Sequence, residues 1–265
     1  MDYLRPESLE GALSALAGDP EARVIAGGQS LLPAIRLGFA SPARLVDLQA
    51  IPALRGLSVD DDHLRVGAMS SHAMLSRSTL VRQRWPMLAA VAGGIADAQI
   101  REVGTIGGAL ANNDPAACWP AAVLACDARI HTSSRVLAAD DFFSGLFTTA
   151  LNPDELITAI AFPPLKTGVY LKFEQSASRF ALVGVAVAVL SRGPVRVAVT
   201  GLGHGVVRWP QAEARLAGGV TPGRVDGLSM DSAWAASDIH ADADYRAHLA
   251  GVLLRRALSG LGHCD

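Results

Sequence analysis

Cysteine is scarce in this chain. Three occur in 265 residues, Cys118, Cys126 and Cys264, and none forms a C-x-x-C pair. A four-thiolate iron–sulfur or zinc centre cannot be built from them on this chain alone. All three read as buried or inert thiols. Long apolar runs are missing as well: the longest, residues 180–190, falls well short of the roughly 20 residues a spanning helix needs. The opening MDYLRPESLE lacks the basic-then-apolar order of a secretion signal, so a soluble, cytoplasmic protein is expected. Charge of one sign is also lacking. With a net charge of −2 and no run of like charge, the chain offers no basic surface to follow a nucleic-acid backbone and no charged, disordered tail. Absent too are G-x-x-x-x-G-K-S/T, H-E-x-x-H and G-x-S-x-G, which removes the minimal residues for P-loop NTP hydrolysis, zinc peptidase and α/β-hydrolase chemistry. The seven histidines are dispersed, and Asp60 with Asp62 and Asp140 with Asp141 read as solvated turn residues.

What the chain does hold is glycine in two clusters. Residues 104–115, GTIGGALANNDP, lie between apolar, small-residue segments at 88–100 and 119–125, so the stretch reads as a tight turn between packed elements. Gly104, Gly107 and Gly108 permit positive φ and remove Cβ atoms that would hold a ligand off the backbone. Successive N–H groups can then converge on an anion. Thr105, Asn112, Asn113 and Asp114 add short polar groups suited to turns and to phosphate or ribose hydrogen bonds. The other cluster, Ala26-Gly27-Gly28-Gln29-Ser30, follows a strand-like run at 22–25 and precedes a helix-like run at 31–37. That is a strand–turn–helix anion site. Either loop alone is weak evidence; together they fit a cofactor with a long phosphate-containing linker, held from both sides.

Periodicity supplies the rest of the plan. Leu9, Ala12, Leu13 and Leu16 give an amphipathic helix at 7–17. A strand at 44–48 completes a β-α-β-like unit of about 50 residues. Strands are expected at 63–68, 128–132, 135–138 and 156–162, and helices at 71–76, 86–98 and 119–125. Pro163-Pro164 interrupts any regular element and marks a domain boundary. Beyond it, strands at 169–173, 182–190 and 195–201 precede helices at 211–216 and 245–258, an α+β pattern. Gly201-Leu202-Gly203-His204-Gly205 misses the dinucleotide fingerprint, because Val206 stands where the third glycine belongs. It reads as a strand-to-helix turn.

Four segments, in order, resemble the FAD-binding medium subunit of the molybdenum hydroxylases, the xanthine dehydrogenase and carbon monoxide dehydrogenase family. They are AGGQSLLPAIRLGFASPARLVDL (26–48), QIREVGTIGGALANNDPA (99–116), FFSGLFTTALNPDELI (142–157) and DIHADADYRAHLAGVLLRRAL (238–258). The resemblance implies an α+β chain. An FAD-binding domain of the vanillyl-alcohol oxidase (PCMH) type would span 1–164, with subdomains at about 1–53 and 54–164, followed by a C-terminal α+β domain at 165–265. It implies noncovalent FAD with its pyrophosphate between the loops. By position, Ala26, Gly27, Gly28, Gln29, Ser30, Thr105, Ile106, Gly107, Gly108 and Ala109 would contact the pyrophosphate and ribityl chain, with Asp114 nearby and Lys172 close to the flavin. Cys118 stands where relatives often carry an Asp that reaches the ribose or adenine, and Arg179 directly precedes Phe180 where an acidic residue is common.

The resemblance also implies partners: a small subunit with 2Fe–2S clusters and a large molybdopterin subunit, forming a heterotrimer that dimerises. This chain would collect electrons on its flavin and pass them to NAD+, oxygen or a quinone. Two alternatives stay open: a stand-alone flavin oxidoreductase of the same fold, which would need its own substrate pocket and base, and an FAD-free assembly subunit, which Cys118 allows although such a subunit would have no use for two glycine loops.

Overall fold

The computed structural model describes residues 1–261; Cys264 lies outside the described residues. Three short strands, β1 (Asp2–Leu4), β2 (Ala22–Ile25) and β3 (Arg44–Asp47), form a parallel sheet in the order β1-β3-β2. Parallel neighbours need crossover connections, supplied by α1 (Leu9–Ala17) and α2 (Leu31–Arg36). Ser8 starts α1 by accepting the Gly11 N–H at 3.1 Å. Ala12 and Leu16 then bury one face of that helix against β2 and β3, with Val46 and Ile51 in the same cluster. α2 is apolar in sequence yet buries no residue. β1, three exposed residues at the sheet edge, has no periodic signal to announce it.

A second sheet is antiparallel, ordered β4-β5-β10-β6-β7, from β4 (Leu57–Asp60), β5 (His63–Gly67), β6 (Arg129–Thr132), β7 (Val136–Ala138) and β10 (Ile157–Phe162). Between β5 and β6 run α3 (His72–Arg77), α4 (Thr79–Arg84), α5 (Pro86–Gly93), α6 (Ala98–Val103), α7 (Ile106–Asn112) and α8 (Cys118–Ala125). The helix expected over 86–98 stops at Gly93, and Asp97 caps a new one by accepting the Ile100 N–H at 2.9 Å. The stretch expected as a tight turn at 104–115 is mostly helix. Thr105 caps α7, Ile106 and Leu110 turn inward, and Asn113 ends it in the left-handed region at φ 43°. Residues 139–149 form a short helix, α9 (Ala139–Phe142), and a hairpin of β8 (Phe143–Gly145) with β9 (Thr148–Thr149). Trp85, Trp119, Phe142 and Phe162 anchor the core beneath these helices.

β10 ends at Phe162, and beyond Pro163 and Pro164 the chain enters a third sheet. It is antiparallel and ordered β11 (Leu165–Glu174), β12 (Ala181–Leu190), β13 (Val195–Thr200), β14 (Val207–Arg208). β12 is buried on both faces, and its alternation serves two different cores. Ala186 and Ala188 lie with the α5 and α8 side chains, whereas Val183, Val185 and Val187 pack with α11 (Ala243–Leu261). Small residues on the first face let the helices approach closely. Gly184 shares that face, where a Cβ would sit 2.4 Å from the Tyr170 hydroxyl. The GLGHG stretch, expected as a strand-to-helix turn, joins β13 to β14, and α10 (Pro210–Leu216) follows. Buried Arg246 of α11 bonds the carbonyls of Leu182 (2.7 Å) and Gly201 (2.5 Å) and the Asp238 carboxylate (2.6 Å), tying helix to sheet.

Candidate functional site

The two glycine clusters, about 75 residues apart in sequence, touch. Gly27 lies so close to the end of α6 that a Cβ there would sit 2.2 Å from the Val103 carbonyl oxygen and 2.8 Å from Gly104 Cα. Across the same junction, a Cβ on Gly108 would come 3.3 Å from Ala26 Cβ. Gly107 is pressed onto Ala68, 2.6 Å from a Cβ built in the same way. These glycines let backbone meet backbone. Gly28, at φ 69°, also needs glycine's freedom to turn the chain from β2 into α2.

The loops differ in what they leave free. In the second, Ile106 N–H donates to Ser70 (3.1 Å), Gly107 N–H to Ala68 (2.8 Å) and Gly108 N–H to Thr105 Oγ1 (3.1 Å). The donors expected to converge on an anion there already have partners, because the loop is the capped start of a helix packed on the β5–α3 connection. In the first loop, the N–H groups of Gln29 and Ser30 make no hydrogen bond among the described residues, and Ser30 sits at the α2 N-cap with its hydroxyl uncommitted.

Between the loops lies a cavity of about 370 Å³. Ala26, Gly27, Gly28, Gln29 and Ser30 line one side, and Gly104, Thr105, Gly108, Ala109 and Asn112 the other. Among the described residues its one charged wall residue is Arg23, and no carboxylate lines it. Beyond Ala26, Gly108 and Ala111 a larger space of about 840 Å³ opens beside Leu48, Met69, Gly107, Leu151 and Asn152. The two share Arg23, Val24, Ala26, Gly108 and Ala111 in their walls, so they adjoin at the glycine junction.

Of the expected site residues, the first-loop five and Thr105, Gly108 and Ala109 come together on the smaller cavity, and Gly107 on the larger one. Ile106 is fully buried, with its side chain in the core. Asp114, Cys118 and Lys172 line neither space. Asp114 accepts the Ala116 N–H at 2.8 Å, and burial raises its carboxyl pKa against that bond. Cys118 begins α8 among Tyr170 and Lys172, and burial pushes its thiol up despite the nearby ammonium. Lys172 Nζ is held by the carbonyls of Gly94 (2.8 Å) and Arg179 and lies 3.4 Å from Glu174. These three residues belong to the join between α8 and the third sheet.

Two features escaped the sequence reading. Asn113 Nδ2 holds the β8–β9 hairpin through the carbonyls of Gly145 and Thr148, at 2.8 Å each. The left-handed tolerance of Asn was its only local signal. His72, buried at the start of α3, reaches the smaller cavity; its ring nitrogen Nδ1 accepts the Trp119 indole N–H at 3.1 Å. Nothing local distinguishes it from the other histidines, because its partner is 47 residues away.

Comparison with known proteins gives a consistent picture. Residues 1–165 match the family model described as the FAD binding domain in molybdopterin dehydrogenase. The chain is 37% identical over 273 residues to the nicotine 6-hydroxylase medium subunit of Paenarthrobacter nicotinovorans, covering 98% of this chain and 96% of that one. It is 34% identical over 275 residues to the carbon monoxide dehydrogenase medium chain of Hydrogenophaga pseudoflava, covering 97% and 96%. A solved carbon monoxide dehydrogenase structure from the same organism superposes with a TM-score of 0.92 at 33% identity, covering all of this chain and 98% of that one.

Proposed function

This chain belongs to the FAD-binding medium subunits of the molybdenum hydroxylases, and from that premise we propose that it takes electrons from 2Fe–2S clusters on a small partner subunit and delivers them to an external acceptor. It is a subunit of an oxidoreductase, its cofactor is FAD, and molybdenum and iron–sulfur centres are carried by other subunits. A large molybdopterin subunit completes the assembly, a heterotrimer that dimerises in the cytoplasm. Among the described residues no helix is long and apolar enough to cross a membrane.

The observation that carries the reading is the pair of adjoining cavities at the junction of the two glycine loops. The smaller of the two is free of carboxylates among the described residues and is lined by Gln29 and Ser30, whose N–H groups are unpaired there. Those donors suit a pyrophosphate, and the two adjoining cavities suit the arms of a dinucleotide. Ala26, Gly27, Gly28, Gln29, Ser30, Thr105, Gly107, Gly108 and Ala109 would hold it. Ile106 contributes by anchoring the second loop through its buried side chain. Asp114, Cys118 and Lys172 would act at the join with the third sheet, and on this reading residues 1–164 form the FAD-binding part and 165–265 the C-terminal domain. When bound, FAD supplies two-electron redox chemistry that no side chain of this chain carries. The protein's part is to orient it, exclude water and set the electrostatics around it.

A visible spectrum of the purified chain, with chromatography of the flavin released by acid, tests the cofactor site. Releasable FAD near one per chain is expected. A colourless protein that takes up no added FAD would overturn the reading, and size exclusion of the co-expressed complex yielding only free monomer would overturn the assembly.

A further inference from the structure

Resting on the FAD reading above, we propose that His72 is a cofactor-binding residue whose Nε2–H donates to a pyrophosphate oxygen of the dinucleotide, in a tautomer that Trp119 imposes. Three observations combine. First, the ring is locked. Trp119 Nε1 donates to His72 Nδ1 at 3.1 Å, with ring centroids 6.2 Å apart and planes inclined by 36°. An indole N–H donates only, so Nδ1 must be the acceptor and the proton of the neutral ring resides on Nε2.

Second, the ring has been given room. A Cβ on Gly104 would lie 3.0 Å from both His72 Nε2 and Cδ2. The glycine at 104 thus lets the second loop close over this imidazole edge. The His72 backbone N–H bonds the Gly104 carbonyl at 3.0 Å and fixes the loop to the helix that carries the ring.

Third, the free nitrogen is where a ligand would be. His72 is 4% exposed, yet it lines the 370 Å³ cavity beside Gly27, Ser30 and Thr105, and Nε2 makes no hydrogen bond among the described residues. Burial, aided by the Arg101 guanidinium, lowers its pKa to about 4. At neutral pH the ring is therefore an uncharged donor of fixed direction, on the same cavity as Gln29 and Ser30 with their unpaired N–H groups. Three neutral donors around one space match an anionic oxygen cluster better than a base or a flavin ring edge would.

FAD titration of the deflavinated full chain, followed by flavin fluorescence and by the 31P signals of the bound pyrophosphate, tests this. Losing one hydrogen bond to a charged oxygen should weaken binding by about 10- to 100-fold in His72→Leu and shift a 31P resonance. His72→Gln restores a donor at nearly the same place, so affinity within about threefold of wild type is expected. Wild-type binding with an unchanged Kd and unchanged 31P shifts in His72→Leu would sink the inference and leave the FAD site standing. A wild-type chain that takes up no FAD would overturn both. Should His72→Leu fail to fold, nitrogen NMR of the wild-type imidazole decides. The inference requires an unprotonated Nδ1 and an Nε2–H signal that moves when FAD binds. A ring protonated on Nδ1, or an Nε2–H indifferent to FAD, refutes it.

Discussion

Replacing Gly27 with Ala places one methyl group at the narrowest point between the two loops. The added Cβ would start 2.2 Å from Val103 O and 2.8 Å from both Val103 C and Gly104 Cα. All three are backbone atoms at the end of a capped helix, so no side-chain rotation can relieve the overlap. The loops must part by about 1 Å before the contact becomes tolerable, and overpacking of that kind costs about 1–3 kcal/mol. For a chain of this size each kcal/mol lowers Tm by about 2–4 °C, so Gly27→Ala should melt roughly 2–12 °C below wild type. The same displacement moves Gln29 and Ser30 away from Thr105 and Gly108, so FAD affinity should fall by at least about tenfold, more than a purely global destabilisation would produce in a protein still folded at 25 °C. Thermal unfolding with and without FAD, and titration followed by flavin fluorescence, measure the two effects. Gly260→Ala, with open space around its Cβ in an exposed turn of α11, is the control and should match or slightly exceed wild-type stability. A Gly27→Ala protein with wild-type Tm and wild-type affinity would show that the loops do not meet as described.

Arg246→Leu removes the donor that the carbonyls of Leu182 and Gly201 share between helix and sheet; a loss of about 2–5 kcal/mol in urea unfolding is expected from those two bonds to a charged group, with Arg246→Lys recovering only part, since an ammonium cannot reproduce the fork. Unchanged urea midpoints in both would refute the tie. Glu155 accepts from Arg135 Nε (2.9 Å) and Nη2 (2.8 Å), the Ser134 hydroxyl and the Asn152 N–H, and the Arg135 bond first of all lowers its pKa from 4.5 to about 2. A carboxylate depressed in the folded state stabilises fully above its unfolded value, so this contribution is present above about pH 4.5 and disappears as pH falls toward 2. Glu155→Gln should therefore be less stable than wild type at pH 7, and the gap should close between pH 4.5 and 2 in pH-dependent melting. A gap independent of pH would exclude ionisation as its source.

Much of the plan was legible along the chain because it depends on neighbours in sequence. The i, i+3, i+4 leucines of α1 and the strands expected at 182–190 and 195–201 are local patterns, and each became the element expected of it, whereas the caps at Ser8 and Asp97 emerged only in the folded chain. The glycine clusters and the four ordered segments identified the family and its cofactor. The sequence could not distinguish a turn from a capped helix at 104–112, since Thr105 followed by small residues fits both. Packing of Ile106 and Leu110 into the core decided it. Nor could it tell which glycines face a ligand and which face another backbone. Gly27 meets Val103, Gly107 meets Ala68, and Gly104 meets His72, contacts whose partners lie 32 to 76 residues away. Composition, period and spacing determined most of the elements, and the resemblance of four ordered segments to a known family supplied the cofactor. Only the tertiary structure decided which N–H groups remain free, which histidine reaches the cavity, and that Cys118 and Lys172 stand apart from it, because those are properties of surfaces brought together by folding.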